Sequence, residues 1–398
     1  MTAPAPGATG PRIYLIAGEA SGDRLGAALI AGLRTLAPGV EVHGIGGPLM
    51  EAEGLVSLFP MEELSVMGIW EVLPKYRQLK ARIAEAAADC LARAPDALIT
   101  IDSPDFGLRV QRLVRAAQAG GTGGQTGRIR QIHYVAPSVW AWRPGRAMKM
   151  ATAVDHVLAL LPFEPPYMEA AGMTCDFVGH PVVCEPRADA AEVAAFRAAH
   201  DIAPDAPLVL ALPGSRKGEV SRLAARFDES LMRLRDRVPE MRVVLPTVRG
   251  VSVMVREMSA RWPVAPIIVE TPEDKRAAFA AADLALAASG TVSLELAANR
   301  VPMVIAYDMA PLSRVLIGML LKIDTVTLVN LVSDTRAVPE FLGRACRPEA
   351  IAPALAALVD PGPARAAQEE AMALTMQRLG EGGEPPGLRA ARSVLSRL

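Results

Sequence analysis

The chain has 398 residues, too many for one ordinary hydrophobic core, so two domains are expected. Apolar residues make up 51%, aromatics only 4%, and the formal charge is −1, a balance that excludes a disordered chain and a long-range field for nucleic acid. The four cysteines show no CxxC spacing, which fits a reduced cytoplasmic protein without a zinc site.

Residues 1–11 are rich in Pro, Gly and Ala and read as a disordered tail, with no basic start and apolar run of a signal peptide. Short apolar runs then follow at 13–17, 41–45, 97–101, 129–135 and 154–160, separated by Ala/Leu/Arg helical stretches. The series restarts at 208–212, 242–245, 267–269, 284–287 and 303–307. Continuous apolar runs belong to strands covered on both faces, hence to parallel sheets flanked by helices. The fold class is therefore α/β, with two Rossmann-like doubly wound domains. Pro181, Pro186 and Pro204 mark the break, giving domains 12–185 and 186–365 and a helical segment 366–398 that can pack back on the first domain. A Gly-rich loop insertion is expected at 119–127, and the apolar stretch 315–321 is far too short to span a membrane.

The first chemical motif follows the first strand: Gly18, Glu19, Ala20, Ser21, Gly22 and Asp23. Two glycines allow tight turns, and Ser21 or Asp23 can cap the helix that begins there. Such a helix start attracts anions, but Glu19 and Asp23 oppose a phosphate and point to a sugar or to a structural turn. Next, Val66, Met67, Ile69, Trp70 and Leu73 form an apolar stretch beside Lys75, Arg77, Lys80 and Arg82. That pairing suits an interfacial segment on anionic lipid, or a core helix with a solvated basic end. Asp102 and Asp105 follow the third run, where open α/β sheets place ligands. Either carboxylate can take a proton from a hydroxyl or tie down a turn. After the fourth run comes a loop with Ser138, Trp140 and Trp142 beside Arg143, Arg146 and Lys149: a binding wall, or rings filling a gap between layers.

In the second half, Gly214, Ser215, Arg216 and Lys217 again end a strand and open a helix, and cations with free backbone N–H groups suit a diphosphate. The P-loop spacing is absent. Ser289, Gly290, Thr291 and Glu295 follow a later strand and suit a phosphate or ribose, although a plain N-cap at Ser289 or Thr291 explains them equally. No Asp-x-Asp pair, His-Glu-x-x-His motif or Cys/His cluster is present, so no metal is expected. Gly44-Ile45-Gly46-Gly47 lacks the dinucleotide fingerprint, so no cofactor is expected either.

Taken in order, AGEASGD, MEELSVMGIWEVL, IDSPDF, HYVAPSVWAWR, FVGHPV, LPGSRKGEV and ASGTVSLELA resemble the lipid-A-disaccharide synthases over residues 13–345. The resemblance implies a GT-B glycosyltransferase whose two Rossmann-like domains face a cleft. It implies inverting transfer of a diacylated glucosamine from UDP-2,3-diacylglucosamine to 2,3-diacylglucosamine 1-phosphate, giving a β-1,6 disaccharide and UDP without a metal. Asp102 matches the family's base, with Asp105 as the fallback. Gly214, Ser215, Arg216, Ser289, Gly290, Thr291, Glu295 and Asn330 would face the donor. Gly18, Glu19, Ser21, Gly22, Asp23, Ser138, Trp140 and Trp142 would face the acceptor. Val66, Met67, Ile69, Trp70 and Leu73 would meet the inner face of the bacterial inner membrane, making a peripheral cytoplasmic enzyme. A homodimer that exchanges C-terminal segments is also implied. The chain departs from the family at Gly107, where Asn is frequent, at Asp308, where Arg is common, and at Gly343, where Gln is frequent. The rival reading within the same architecture is a UDP-sugar epimerase; a protein that only binds lipid or nucleotide is a third.

Overall fold

The computed structural model describes residues 10–64, 69–120, 127–141, 145–309 and 323–398, with the backbone alone over 69–76. The chain divides into two compact units, Met1–Pro181 with Gly382–Leu398, and Val182–Glu381.

Unit 1 holds β1 (Arg12–Ala17), β2 (Glu41–Ile45), β3 (Ala97–Ile101), β4 (Arg130–Tyr134), β5 (His156–Ala159) and β6 (Thr174–Phe177). All pair in parallel, in the order β2-β1-β3-β4-β5-β6. The connecting helices are α1 (Ala20–Leu36), α2 (Pro48–Ala52), α3 (Ile69–Arg93), α4 (Pro104–Ala119), α5 (Gly145–Ala151) and α6 (Pro165–Glu169). Helix α1 forms because Leu25, Leu29 and Leu33 recur every four residues, and all three are buried against the sheet. Each such leucine contributes roughly 1.5–3 kcal/mol.

Unit 2 repeats the plan with β7 (Leu208–Leu212), β8 (Arg242–Pro246), β9 (Ile267–Val269), β10 (Leu284–Ala287), β11 (Met303–Tyr307) and β12 (Glu340–Leu342). The order is β12-β11-β10-β7-β8-β9, again parallel. Its first helices are α7 (Ala190–Ala199), α8 (Lys217–Arg235), α9 (Ser252–Ser259), α10 (Pro272–Ala281) and α11 (Val292–Ala298). Phe227, Leu231 and Leu234 of α8 pack over the buried sides of β7, β8 and β10.

Strand order reverses at one place in each sheet. In unit 1 it lies between β1 and β3, and in unit 2 between β7 and β10. Outside the carboxyl ends of such a strand pair the two loops diverge and leave a crevice for ligands. The turns at Gly18–Asp23 and Asp102–Asp105 flank the first reversal, and those at Gly214–Lys217 and Ser289–Thr291 flank the second.

Strands β6 and β12 had no counterpart among the apolar runs. Both are edge strands, and their residues are mostly half-buried, so neither carries a continuous apolar signal. The C-terminal segment also divides. Helix Pro363–Leu379 belongs to unit 2, whereas helix Pro386–Leu395 lies on α1 in unit 1. Glycines allow that close crossing: a Cβ on Gly387 would lie 2.5 Å from Ala28 O, and one on Gly32 2.6 Å from Gly387 O. Polar contacts secure it, with Ser393 Oγ 2.7 Å from Asp176 Oδ2 and 2.9 Å from His156 Nε2.

Candidate active site

The unit 1 crevice is built from backbone under strain. Asp102 (φ 51°) and Ser103 (φ 37°) both take left-handed conformations at the end of β3, and Val135 (φ 83°) does so at the end of adjacent β4. Non-glycine residues there cost of order 1–3 kcal/mol each and persist only where surrounding structure enforces them. The enforcement is visible. Asp102 N donates to Tyr134 O at 2.9 Å, and Val135 N donates to Leu158 O at 3.0 Å. The result turns the half-buried Asp102 toward the start of α1, where Ser21 Oγ donates to its Oδ2 at 3.2 Å. Glycine lets the two turns close up, since a Cβ on Gly18 would lie 2.9 Å from Ser103 Oγ and one on Gly22 3.3 Å from Ile101 O. Glu19 is the extended N-cap of α1 and makes no side-chain cap bond there, so neither Ser21 nor Asp23 caps that helix.

Of the two roles that its sequence allows, Asp23 takes the structural one. It is 3% exposed, and its two oxygens accept from Gly47 N, Leu49 N and Met50 N, each at 3.0 Å. It satisfies the free N–H groups at the start of α2. Asp105 is exposed in the first turn of α4, three residues beyond Asp102. Gly107 packs beneath that turn, where a Cβ would sit 2.8 Å from Thr100 Cβ, so the small residue is required.

In the loop after β4, Ser138 is exposed but Trp140 is only 9% exposed. Its ring meets Phe163 edge to face at 5.2 Å, and Nε1 donates to Glu164 Oε1 at 3.3 Å. Burial pushes the Glu164 carboxyl up to about 7, against the pull of Leu161 N and the indole. Trp140 therefore fills a gap between layers. Trp142, Val66 and Met67 lie outside the described residues, and Ile69, Trp70 and Leu73 fall where only the helical backbone of α3 is described.

In unit 2, Gly214 (φ 111°) makes the turn after β7; a Cβ there would lie 2.6 Å from Glu219 Oε2. Ser215, Arg216 and Lys217 are exposed at the mouth of α8. The Arg216 side chain is 71% exposed and pairs with Glu219 Oε1 at 3.2 Å, which also accepts from Tyr307 at 3.4 Å. Glu219 stands three residues after Arg216, the position from which a Glu turns back to a helix start, and that spacing is the signal for it in the sequence. Opposite, Gly290 (φ 155°) opens the turn after β10, with nothing within 4 Å of a built Cβ. Thr291 is exposed and makes no cap bond; Ser293 Oγ instead donates to Gly290 O at 2.9 Å. Ser289 is half-buried with Oγ 3.5 Å from Val326 O, and Glu295 pairs with Lys275 at 2.5 Å.

Asn330 is 1% exposed and spends its amide on its own loop. Nδ2 donates to Val338 O (2.9 Å) and Thr325 (3.2 Å), and Oδ1 accepts from Val338 N (3.0 Å). The amide clamps that loop together with Glu340, which accepts from Val326 N and Thr327 N. Asp308 is buried and paired with Arg226 at 2.8 Å, so the position serves packing. Among the described residues no group of three or more His, Cys, Asp or Glu is placed to hold a metal ion.

Comparisons with known proteins agree with this arrangement. The sequence model of the family described as lipid-A-disaccharide synthetase matches residues 13–384. The chain is 61% identical to the lipid-A-disaccharide synthase of Ruegeria pomeroyi over 396 residues, covering 97% of this chain and 95% of that one. It is 49% identical to that of Rhodospirillum centenum, covering 96% and 94%. Among solved structures it resembles a UDP-GlcNAc 2-epimerase from Neisseria meningitidis bound to UDP-GlcNAc, with TM-score 0.65, 10% identity and coverage of 97% and 99%. It also resembles a glycosyltransferase from Rickettsia africae, with TM-score 0.58, 12% identity and coverage of 97% of each chain. At such identities these two show the fold alone, which is GT-B, and lend the epimerase reading no chemistry. The near full-length family match and the close relatives settle the matter of kinship: the chain belongs to the lipid-A-disaccharide synthase family of glycosyltransferases.

Proposed function

We propose that the protein transfers 2,3-diacylglucosamine from UDP to the 6-hydroxyl of 2,3-diacylglucosamine 1-phosphate with inversion. The observation that carries this reading is Asp102, held in a left-handed turn at the strand-order reversal of unit 1 with Ser21 donating to it. The Asp102 carboxylate takes the proton of the acceptor hydroxyl as its oxygen attacks the anomeric carbon. The bond from that carbon to the diphosphate breaks, and its electron pair leaves with UDP. On unit 2, Arg216, Ser215 and the N–H groups at the start of α8 receive the charge that develops on the diphosphate. Ser289, Gly290 and Thr291, across the β7–β10 reversal, are the groups offered to the ribose or second phosphate.

No described helix is long and apolar enough to cross a membrane. Acyl chains cost about 0.8 kcal/mol per CH2 to withdraw from a bilayer, so the enzyme must work at the lipid surface. The segment with Val66, Met67, Ile69, Trp70 and Leu73, followed by its basic residues, is the proposed contact with the cytoplasmic face of the inner membrane.

The test is Asp102→Asn and Asp102→Ala assayed with both acylated substrates at saturating donor. Turnover should fall by about two to four orders of magnitude with UDP affinity retained. Arg216→Ala should weaken UDP binding about tenfold, the scale of one charge-assisted contact. Turnover within a few-fold of the parent in both Asp102 variants would remove it as the base.

A further inference from the structure

Between α4 and α5 of unit 1 lies a cavity of about 610 Å³ whose wall carries four cations. Among the described residues, Arg109 and Arg112 come from α4, Arg146 and Lys149 from α5, and Asp105 is the one acid on the wall. Each pair is spaced i,i+3, which sets both members on one face of their helix. All four are exposed, and among the described residues none of their side chains has a hydrogen-bond or ion-pair partner. The neighbouring arginines behave differently: Arg115 and Arg128 pair with Asp155 at 2.9 and 2.6 Å. Four uncompensated cations around one hollow repel one another, and an anion with more than one charge relieves that. The volume falls within the range of small-molecule sites.

The position is specific. Asp105, Arg109 and Arg112 share one stripe of α4, running about 10 Å along the helix from the turn that carries Asp102. An acylated sugar with one hydroxyl at Asp102 would carry a phosphate on its far side at that scale. Leu108, Pro137 and Met150 on the same wall add apolar surface that a free phosphate would not need.

We propose that this cavity is where the phosphomonoester of the acceptor sugar is held. The proposal rests on the glycosyl-transfer reading above. A phosphomonoester is close to dianionic at neutral pH and offers three acceptor oxygens, matching several cations better than a carboxylate would.

The test compares 2,3-diacylglucosamine 1-phosphate with its dephosphorylated form as acceptor, for the parent and for Arg109→Ala/Arg112→Ala and Arg146→Ala/Lys149→Ala. The parent should prefer the phosphorylated acceptor, and each double variant should lose about tenfold or more of that preference, expressed in acceptor KM. Equal losses on both acceptors would overturn the proposal. A second arm measures adhesion to phosphatidylglycerol and phosphatidylcholine vesicles. Variants that lose adhesion to the anionic vesicles yet keep the acceptor preference would assign the cavity to a bilayer headgroup and overturn the acceptor role. If the parent forms no disaccharide, the transfer reading fails instead. Calorimetric binding of the two sugars without donor then still tests the cavity, which stands if only the phosphorylated sugar loses affinity in the variants.

Discussion

Ser21 Oγ donates to Asp102 Oδ2 at 3.2 Å, tying the turn after β1 to the turn after β3 across the reversal of strand order. The contact fixes one carboxylate oxygen and leaves the other open to a hydroxyl. Ser21 is thus a positioning residue for the proposed base. Ser21→Ala should lower kcat about three- to thirtyfold, the range expected for losing one hydrogen bond to a charged group at the surface. Acceptor KM should change little, and Ser21→Thr should restore most of the rate. A Thr variant as slow as the Ala variant would show that the hydroxyl is not what matters.

Asp23 stands two residues further on and holds backbone of the same unit together. Its carboxylate receives three backbone N–H groups at the start of α2 while nearly fully buried. Asp23→Ala strands those donors and should cost about 2–4 kcal/mol, read as a lowered urea midpoint. Asp23→Asn keeps one acceptor and should cost less. Acceptor KM measured below the unfolding transition should be unchanged in both. A stable variant with a raised acceptor KM would return Asp23 to the binding site.

These two residues also show how far a sequence can be read. Both sit in one Gly-rich turn after a buried strand, and the strand was legible because β1 is apolar at every covered position. Where the motif lies follows from such local patterning. Which side chain faces the crevice depends on long-range partners, here Asp102 and Gly47, at separations of 81 and 24 residues. The same limit explains Asn330, whose partners are set by the fold of its own loop, and Glu295, whose mate Lys275 lies on a different helix. Trp140 reads in the sequence as either a binding wall or a gap filler, because its neighbours are polar. Its burial depends on Phe163 and Glu164, which the local sequence does not bring to it. The basic cavity was half visible, since Arg146 and Lys149 follow the tryptophans, but pairing them with Arg109 and Arg112 required α4 and α5 to be placed side by side.

Burial also sets an acid-stability profile for unit 1. His133 and His180 are pushed down to about 4 by burial, and His156 is lowered as well. A histidine whose folded pKa lies below its unfolded value near 6.5 destabilises the fold as pH drops from about 6.5 toward 4, because the unfolded chain takes the proton first. Glu164 opposes this. Its folded value near 7 exceeds the ordinary 4.5, so it adds stability as pH drops through the same window. Two or three protons outweigh one, and stability should fall below pH 6.5. Glu164→Gln removes the opposing group and should steepen the fall by about 1–3 kcal/mol across the window, because the folded value near 7 stands well above the ordinary 4.5. Thermal melts at pH 7, 6, 5 and 4.5 measure it. Parallel curves for the parent and the variant would mean that Glu164 is ionised in the fold throughout.

The C-terminal helix Pro386–Leu395 is bound to unit 1 by contacts that one methyl group can break. A Cβ on Gly387 would meet Ala28 O at 2.5 Å, and that atom is backbone of α1, with no flexible side chain to move aside. Gly387→Ala must therefore shift one helix against the other. The cost should be about 1–3 kcal/mol, the usual penalty for overfilling a packed contact. The displaced helix would also lose Ser393 from His156 and Asp176, and Arg130 Nε from Arg397 O. Hydrogen exchange over residues 386–395 should quicken well beyond the change seen elsewhere, while Ser393→Ala, which adds no atoms, should quicken it less. If Gly387→Ala leaves exchange in that helix at the parent rate, the close crossing does not hold the helix down, and its polar anchors alone must account for the docking.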